Sequence, residues 1–217
     1  MNIEQARFNM VEQQIRTWEV LDRNVLDLLL AARREAYVPM AYRGLAFADT
    51  EIPIGHGAAM LSPKIEARAL LALQVKKHEK VLEIGTGSGW MAALLAAHCG
   101  HVWSMEIEPA LAEAARIRLR REGVMNVNVE TGNGLGGLPV QAPFDAIMVS
   151  GGVSAVPQAL LDQIKVGGRI FAFVGEAPVM EARLITRVDT TTFRARNVFE
   201  TVVPALRGAV PASRFIF

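Results

Sequence analysis

Residues 81–90 constrain this 217-residue chain most, because a short apolar run ends there in a turn built on three alternating glycines. Residues 81–84 predict a buried strand that carries an acid, Glu83, close to its end. Glycine at every second position of the turn lets the backbone adopt positive φ and approach a ligand closely. The helix predicted at 90–99 would point its N-terminal N–H groups toward that ligand. The stretch therefore predicts a strand–turn–helix binding site.

A second acid, Glu106, ends the next predicted strand, residues 101–106. It follows the first glycine by about 20 residues, the usual spacing between such a turn and an acid that binds ribose hydroxyls. A dinucleotide site would read G-x-G-x-x-G, whereas this turn reads G-x-G-x-G and is preceded by Glu83. An acid at that place would repel a pyrophosphate but suits a ligand that carries an ammonium and a sulfonium group. The E-x-G-x-G-x-G pattern resembles the first motif of class I S-adenosylmethionine-dependent methyltransferases.

The resemblance implies S-adenosylmethionine as the cofactor and a set of residues that bind it. Asn133 follows the third strand of the alternating region, where its carbonyl oxygen could accept from an adenine amino group, although a plain turn asparagine is the alternative. The predicted cofactor-binding residues are Glu83, Gly85, Thr86, Gly87, Ser88, Gly89, Trp90, Glu106, Ile107, Asn133 and Gly134.

Composition excludes several other classes of protein. The net charge is +1 and no basic tract is present, so nucleic acid is not an expected partner. The single cysteine, Cys99, fits a reducing compartment, and no signal-peptide core or membrane-length apolar run appears, so a cytoplasmic location is expected. The four histidines lack zinc spacing and the strand ending at Ser150 carries no carboxylate, so no metal site is expected. No sequence feature specifies an oligomeric state.

Strands alternate with helices through the middle of the chain, which predicts an α/β fold with a doubly wound, mostly parallel sheet and helices on both faces. A helical N-terminal extension precedes this region, with helices at 5–18 and 22–34 and a loop without periodicity at 43–63. A helix at 64–76 follows the loop. Two strands, 183–189 and 193–203, predict an antiparallel edge at the C-terminus. We expect one domain, in which 1–63 hold the helices and active-site loop, 64–175 the cofactor-binding core, and 176–217 the hairpin and tail.

Nearly the whole chain resembles the protein-L-isoaspartate O-methyltransferases. The matching stretches include residues 34–39, the Pro53-Ile54-Gly55-His56-Gly57 loop and residues 166–169, and the resemblance ends at Val203-Pro204-Ala205-Leu206. Generic methyltransferases lack the Pro-Ile-Gly-x-Gly loop. The resemblance implies methylation of the abnormal carboxylate of isoaspartyl residues, which leads to protein repair. A carboxylate is already ionised at pH 7, so this reaction needs no general base.

The loop departs from the family where the methyl group is transferred. The family continues Gln-Thr-Ile-Ser-x-Pro, whereas this chain has Ala59 at the threonine position and Leu61 at the serine position. Ser62, one residue later, is the candidate catalytic hydroxyl, but a one-residue shift in an extended segment turns a side chain to the other face. The alternative is a serine that bonds its own loop or caps the following helix.

Three functions remain open on the sequence. The first is methylation of an isoaspartyl carboxylate in a peptide or protein. The second is methylation of another acid or a hydroxyl of a small molecule, for which Asp49, Glu51 or His56 could supply a base. The third is a cofactor-binding protein without transfer activity, suggested by Leu61 and by the apolar tail at residues 215–217.

Overall fold

The computed structural model of the protein describes residues 2–209. Helices α1 to α6 span Ile3–Met10, Arg23–Ala31, Pro63–Leu73, Trp90–Ala96, Pro109–Arg121 and Gln158–Asp162. Strands β1 to β9 span Ile52–Gly55, Ala58–Met60, Lys80–Ile84, His101–Glu106, Val127–Thr131, Phe144–Val153, Ile164–Glu176, Val179–Arg187 and Phe193–Glu200. The apolar tail at 215–217 lies outside the described residues.

Seven strands form one sheet in the order β5-β4-β3-β6-β7-β8-β9. Neighbours from β5 to β7 pair in parallel, whereas β8 is antiparallel to both β7 and β9. The chain leaves β3 toward one edge and returns through β6 toward the other, which opens a crevice beyond the carboxyl ends of these two strands. The predicted doubly wound sheet with an antiparallel C-terminal edge is confirmed.

Both faces of the sheet are buried. Alternate residues such as Val81 and Met148 belong to one apolar cluster, which includes the buried faces of α3, α4 and α5. Their neighbours Leu82 and Ile147 belong to a second cluster on the opposite face, with Leu160 of α6. Helices therefore cover both faces, as the alternating pattern predicted.

Helix starts follow from local capping chemistry. Asp22 accepts a hydrogen bond from the backbone N–H of Val25 at 3.1 Å and so caps α2, as its position in the sequence suggests. Pro109 occupies the first turn of α5, where its missing N–H costs no helical hydrogen bond. The start of α5 fixes the loop that follows Glu106, and this loop forms one wall of the crevice.

A buried arginine ties the N-terminal extension to the rest of the protein. Arg34 is 1 % exposed; its Nε donates to the carbonyl of Ala46 at 2.8 Å, and its Nη2 donates to the carbonyl of Leu61 at 2.8 Å. Its Nη1 pairs with the buried carboxylate of Glu66 on α3. The guanidinium therefore joins the loop before β1, the segment after β2 and α3.

The prediction of an irregular loop at 43–63 is wrong. The segment begins within a short 3-10 turn, Met40–Leu45, and then forms β1 and β2, which pair only with each other. Strands of four and three residues are too short to display an alternating pattern in the sequence. The hairpin turns at Gly55, His56 and Gly57, all three of which have positive φ.

Several other boundaries also differ from the predictions. The first helix begins at Ile3 and passes through a π-helical turn, Val11–Ile15, so its period is irregular. Helix α2 ends at Ala31, before the predicted residue 34, and α3 ends at Leu73, because Gln74 adopts a left-handed conformation with φ 46°. The β8 strand begins at Val179, so β7, β8 and β9 form a continuous antiparallel meander.

We predict that Arg34→Ala lowers the free energy of unfolding by about 3–5 kcal/mol, because it leaves the Glu66 carboxylate buried without its cation. Urea denaturation followed by circular dichroism measures this loss. The control is Arg23→Ala, which removes an exposed ion pair to Asp27 and should cost less than about 0.5 kcal/mol. Equal costs for the two variants would contradict the linking role of Arg34.

Candidate functional site

The glycine turn after β3 has the backbone conformation that the sequence predicts. Gly85, Gly87 and Gly89 have φ values of 94°, 54° and 88°. A Cβ on Gly89 would lie 3.3 Å from the Cβ of Ala115, so this glycine also allows the turn to pack against α5. Gly85 and Gly87 line a cleft beyond the sheet, whereas Gly89 does not. The turn thus exposes bare backbone to a ligand in the cleft.

Glu106 lies in this cleft at the end of β4, as predicted, and is largely buried. Its Oε2 accepts from the backbone N–H of Gly87 at 2.7 Å, and its Oε1 accepts from the N–H of Glu108 at 3.0 Å. These bonds hold the carboxylate against the glycine turn. Each oxygen keeps a lone pair for a further donor, which is the requirement for binding ribose hydroxyls.

The far end of the cleft has the mixture of polar and apolar groups that a purine base requires. Asn133 lines it, with its Oδ1 accepting from the N–H of Leu135 at 3.1 Å. Ile107 and Leu111 supply apolar surface. A Cβ on Gly134 would lie 2.8 Å from side-chain atoms of Ile84 and Met105, so only glycine fits there.

Glu83 is fully buried beneath the turn and does not line the cleft. Its Oε2 lies 2.6 Å from the hydroxyl of Ser104, which in turn lies 2.5 Å from that of Thr86, and its Oε1 lies 3.0 Å from the hydroxyl of Ser150. Burial raises the pKa of Glu83 to about 8, against the opposing effect of the two serine hydroxyls. Because the groups around it are neutral hydroxyls, Glu83 is mostly protonated at pH 7.

Trp90 and Ser88 also face inward and do not contact the cleft. The indole Nε1 of Trp90 donates to the carboxylate of Glu66 at 2.8 Å, and its ring packs against Tyr37. Ser88 accepts from the backbone N–H of Trp90 at 3.2 Å, at the start of α4. These two residues, with Thr86 and Glu83, line a small, partly open pocket of about 30 Å³ that adjoins the cleft and shares Leu61, Gly85 and Ser150 with it. They support the turn from behind in this structure.

Residues 203–207, here called the strap, cross the carboxyl end of β6 and form a wall of the cleft that was not predicted. The N–H of Gly152 donates to the carbonyl of Pro204 at 2.8 Å, and the N–H of Leu206 donates to the carbonyl of Gly152 at 2.9 Å. The Leu206 side chain rests on the glycine turn, since its Cδ2 would lie 2.8 Å from a Cβ on Gly85. The only sequence signal for the strap was its family-like Val-Pro-Ala-Leu segment.

An ion pair forms part of the lining of the cleft. Arg207 of the strap donates to Glu108 at 3.0 Å, and the Nδ1 of His56, in the β1–β2 turn, lies 3.7 Å from the same carboxylate. Three separate segments of the chain therefore meet at Glu108. His56 lies beside this ion pair and does not line the cleft itself.

Two residues of the segment that departs from the family, Ala59 and Leu61, line the cofactor cleft. Ser62 does not line the cleft but an adjoining hollow, together with Leu61, Asp49 and Lys64. Ser62 occupies the N-cap position of α3, but its side chain makes no capping hydrogen bond. The structure therefore brings Leu61, and not Ser62, beside the glycine turn.

A neighbouring hollow of about 590 Å³ shares the strap residues Pro204 and Ala205 with the cleft. Its other walls include Val153, Met180 and Glu51. Burial raises the pKa of Glu51 above its ordinary value. The hollow is large enough for a side chain or a small molecule that reaches toward the cleft.

Residues 2–209 contain no cluster of three or more histidine, cysteine or acidic side chains that could hold a metal ion. Within the same part of the chain, no helix is both long and apolar enough to cross a membrane.

The sheet topology, the glycine turn, the acid after β4 and the cleft at the switch point together define a class I methyltransferase. Comparison with known proteins identifies the family. Residues 5–206 match the family model of protein-L-isoaspartate(D-aspartate) O-methyltransferase, and the chain belongs to this family.

Curated relatives extend over most of the chain. A protein-L-isoaspartate O-methyltransferase from Methylorubrum populi is 40 % identical over 204 residues, which cover 94 % of this chain and 96 % of the relative. Protein-L-isoaspartate O-methyltransferase 1 from Syntrophobacter fumaroxidans is 40 % identical over 185 residues, or 85 % of this chain and 86 % of the relative.

Two solved structures have the same fold. A protein-L-isoaspartate O-methyltransferase superposes with a TM-score of 0.81 at 23 % identity, covering 94 % of this chain and 67 % of that chain. A putative family member from Plasmodium falciparum, solved in complex with S-adenosyl-L-homocysteine, superposes with a TM-score of 0.79 at 19 % identity, covering 93 % of this chain and 98 % of that chain.

S-adenosylmethionine is the cofactor of this family, and the cleft residues fit it. The bare turn at Gly85 and Gly87 admits close approach, Glu106 offers acceptors for hydroxyls, and Asn133 offers a polar edge beside apolar surface. The cofactor supplies an electrophilic methyl group. The protein must bind the cofactor, exclude water and bring an acceptor to that methyl group.

We predict that Glu106→Ala weakens S-adenosylhomocysteine binding about ten- to hundredfold, because a charged acceptor for two hydroxyls is worth roughly 1.5–3 kcal/mol. Isothermal titration calorimetry measures the affinity. Glu113→Ala on α5, an exposed acid outside the cleft, is the control and should bind normally. An unchanged dissociation constant for Glu106→Ala would remove this residue from the site.

Glu83 should also make stability depend on pH. Its pKa lies at about 8 in the folded protein, above the ordinary 4.5, so between these values the folded state holds a proton that the unfolded state releases. The contribution of Glu83 to stability is therefore complete below pH 4.5 and is lost as pH rises toward 8.

The Glu83→Gln variant lacks this titration. Its stability relative to wild type should rise with pH by up to about 1.4 kcal/mol per unit between pH 5 and 8, and then level off. Urea unfolding of both proteins across this range tests the expectation. Parallel curves for the two proteins would show that Glu83 is ionised in the folded state.

Proposed function

We propose that this protein transfers the methyl group of S-adenosylmethionine to the carboxylate of L-isoaspartyl residues in damaged proteins. The observation that carries the proposal is the lack of an available base among the described residues that line the cleft. The ionisable residues there are Glu106, which is bonded to two backbone N–H groups, and Glu108, which is paired with Arg207. An acceptor that is already ionised at pH 7 suits such a site.

The neighbouring hollow supports a large acceptor. It adjoins the cleft along the strap, so a side chain that enters the hollow can approach the glycine turn. Much of its wall is apolar or bare backbone at Gly152 and Gly175, which suits an extended peptide better than a small polar molecule. The reaction then requires alignment of the carboxylate with the methyl group, which proximity accelerates.

The proposal includes action in the cytoplasm without a nucleic-acid or membrane partner. The single cysteine, Cys99, is buried, and burial raises its pKa to about 12, which suits a structural thiol in a reducing compartment. The net charge of +1 gives no general attraction to phosphate backbones.

The test is methyl transfer from radiolabelled S-adenosylmethionine to an isoaspartyl peptide, with the same peptide containing ordinary aspartate as the control. We expect slow methylation of the isoaspartyl peptide and none of the control. Cofactor binding without transfer to either peptide would contradict the proposed acceptor and leave the cofactor assignment intact.

Leu61 and Ala59 should limit the rate. The combined change Leu61→Ser with Ala59→Thr restores hydroxyls to positions that line the cleft, and a single positioned donor can change a rate by about 10²-fold. We therefore expect a marked rise in kcat/KM for the isoaspartyl peptide. Loss of methylation of some other acceptor, without a gain on this peptide, would identify Leu61 as a specificity residue for a different substrate.

Ser62→Ala is the matched control for these changes. Ser62 itself does not line the cleft, which argues against the predicted catalytic role, although its neighbour Leu61 lines both the cleft and the hollow that contains Ser62. A change of less than about twofold is expected for a hydroxyl outside the reaction, whereas a loss near 10²-fold would restore Ser62 as the catalytic residue.

A hydroxyl acceptor is the second candidate, and Glu51 is the observation in its favour. Asp49 is paired with Lys64 at 2.6 Å, but Glu51 lines the hollow beside the strap and has a raised pKa, as a general base would require. Glu51→Gln should abolish transfer to a hydroxyl and leave transfer to an isoaspartyl carboxylate nearly unchanged. Loss of isoaspartyl activity in this variant would instead assign Glu51 to that reaction.

A further inference from the structure

One buried ionisable group beside the cofactor cleft has only neutral hydrogen-bonding partners. Glu83 is fully buried beneath the glycine turn, and it contacts only neutral hydroxyl groups through its side-chain oxygens. A buried carboxylate without a cation is costly in its charged form. Glu83 therefore suits a cationic ligand, because the cofactor carries a positive charge that the groups bonded to Glu83 do not provide.

The charged groups that face Glu83 come from three neighbouring elements. Glu106 on β4 and Glu66 on α3 are both acids, and each raises the pKa of Glu83 further. Arg34 is the nearby cation, but its guanidinium is already engaged by Glu66 and by two carbonyl oxygens. From β6, the facing group is the neutral hydroxyl of Ser150. Glu83 therefore lacks a cation of its own.

Ser150 connects this buried acid to the cleft. It lines both the cleft and the adjoining pocket of about 30 Å³, and its hydroxyl lies 3.0 Å from Glu83. Glu83 also lines that pocket, which has room for about one or two water molecules. The Glu83 carboxyl group therefore lies next to the space that the cofactor occupies, with the Ser150 hydroxyl between them on one side.

The hydroxyl network determines which hydrogen-bonding group the cleft presents in each protonation state of Glu83. When Glu83 is neutral, its O–H can donate to Ser150, and the Ser150 hydroxyl then donates into the cleft. When Glu83 is ionised, Ser150 must donate to it and presents a lone pair to the cleft. The ionised arrangement attracts a cationic ligand both by charge and by hydrogen bonding, whereas the neutral arrangement does not.

We propose that Glu83 is a proton-switched charge partner of the cofactor, which loses its proton when S-adenosylmethionine binds and regains it when the product leaves. The O–H bond of Glu83 breaks on binding, and the proton passes to solvent by way of Ser150. The sulfonium charge is what distinguishes the cofactor from S-adenosylhomocysteine, so ionised Glu83 favours the cofactor over the product.

The size of the effect follows from the titration of the free protein. With a pKa of about 8, Glu83 carries roughly nine-tenths of a proton at pH 7, and binding of S-adenosylmethionine should release most of it. Release of most of this proton at pH 7 requires the ligand to lower the pKa by about two units, which corresponds to a gain of about tenfold in affinity at this pH. The neutral sulfur of S-adenosylhomocysteine should release a smaller fraction.

Calorimetry in two buffers tests the proposal. The titration of wild type with S-adenosylmethionine at pH 7 is run in phosphate and in Tris, whose ionisation enthalpies differ widely. Wild type should show different apparent enthalpies in the two buffers, and S-adenosylhomocysteine should show a smaller difference. Glu83→Gln should remove the difference and reduce the preference for the cofactor over the product by about tenfold.

Two further variants locate the effect. Ser150→Ala should reduce the preference although Glu83 is retained, because the connecting hydroxyl is lost. Glu113→Gln, an exposed acid on α5, should leave both the proton release and the preference as in wild type. The ligand is the same when wild type is compared with each variant, so the protons of its amino group cancel in that comparison.

An infrared difference spectrum of wild type tests the loss of the Glu83 proton without a variant. Addition of S-adenosylmethionine should remove the band of a protonated carboxylic acid. Equal enthalpies in the two buffers, the same buffer dependence in Glu83→Gln, or an unchanged infrared band would each overturn the proposal. These results concern cofactor binding alone, so they are independent of the isoaspartyl acceptor, whereas a complete lack of binding would overturn the cofactor assignment as well.

Discussion

The buried guanidinium of Arg34 is the interaction on which the cleft depends. It holds the carbonyl of Leu61 and the carboxylate of Glu66, and Glu66 in turn accepts from the indole of Trp90 at the start of α4. The N-terminal extension, the hairpin segment and the glycine turn are therefore positioned by one charge. The pKa of Glu66 is raised by burial, but Arg34 and Trp90 act against that effect and favour its ionised form.

Two buried acids near this charge, Glu66 and Glu83, both have raised pKa values but have different partners. Glu66 has a cation, which opposes the effect of burial. Glu83, about as deeply buried, has only hydroxyl groups as hydrogen-bonding partners, and burial raises its pKa to about 8. A cationic cofactor can provide the positive charge that these partners of Glu83 lack. The different partners of these two buried acids therefore relate the packing of the fold to the charge of the ligand.

Two of the strands that flank the cleft could be predicted from the sequence. The predicted strands at 81–84 and 101–106 correspond to Lys80–Ile84 and His101–Glu106, which are short, largely apolar runs bounded by polar or turn-forming residues. The glycine turn and Glu106 were predicted for the same reason, since both belong to one local unit. The orientation of Trp90 and Ser88 was not predictable, because it depends on Glu66 from a distant helix.

The strap and the hairpin walls of the cleft depend on contacts between segments that are far apart in the chain. Leu206 rests on Gly85 and Arg207 pairs with Glu108, and no periodicity in the sequence reports such contacts. The side to which the Ser62 side chain points could not be predicted from the sequence either. It depends on where α3 begins and on how Arg34 holds Leu61. The family resemblance identified these segments in the sequence but did not predict their geometry.

A crystal structure of the complex with S-adenosylhomocysteine tests the central claim most directly. The account predicts density for the nucleoside between the glycine turn and Asn133, with the ribose hydroxyls within hydrogen-bonding distance of Glu106 and the sulfur on the side of Ala59 and Leu61. Density at another site, or a ribose that makes no contact with Glu106, would contradict it.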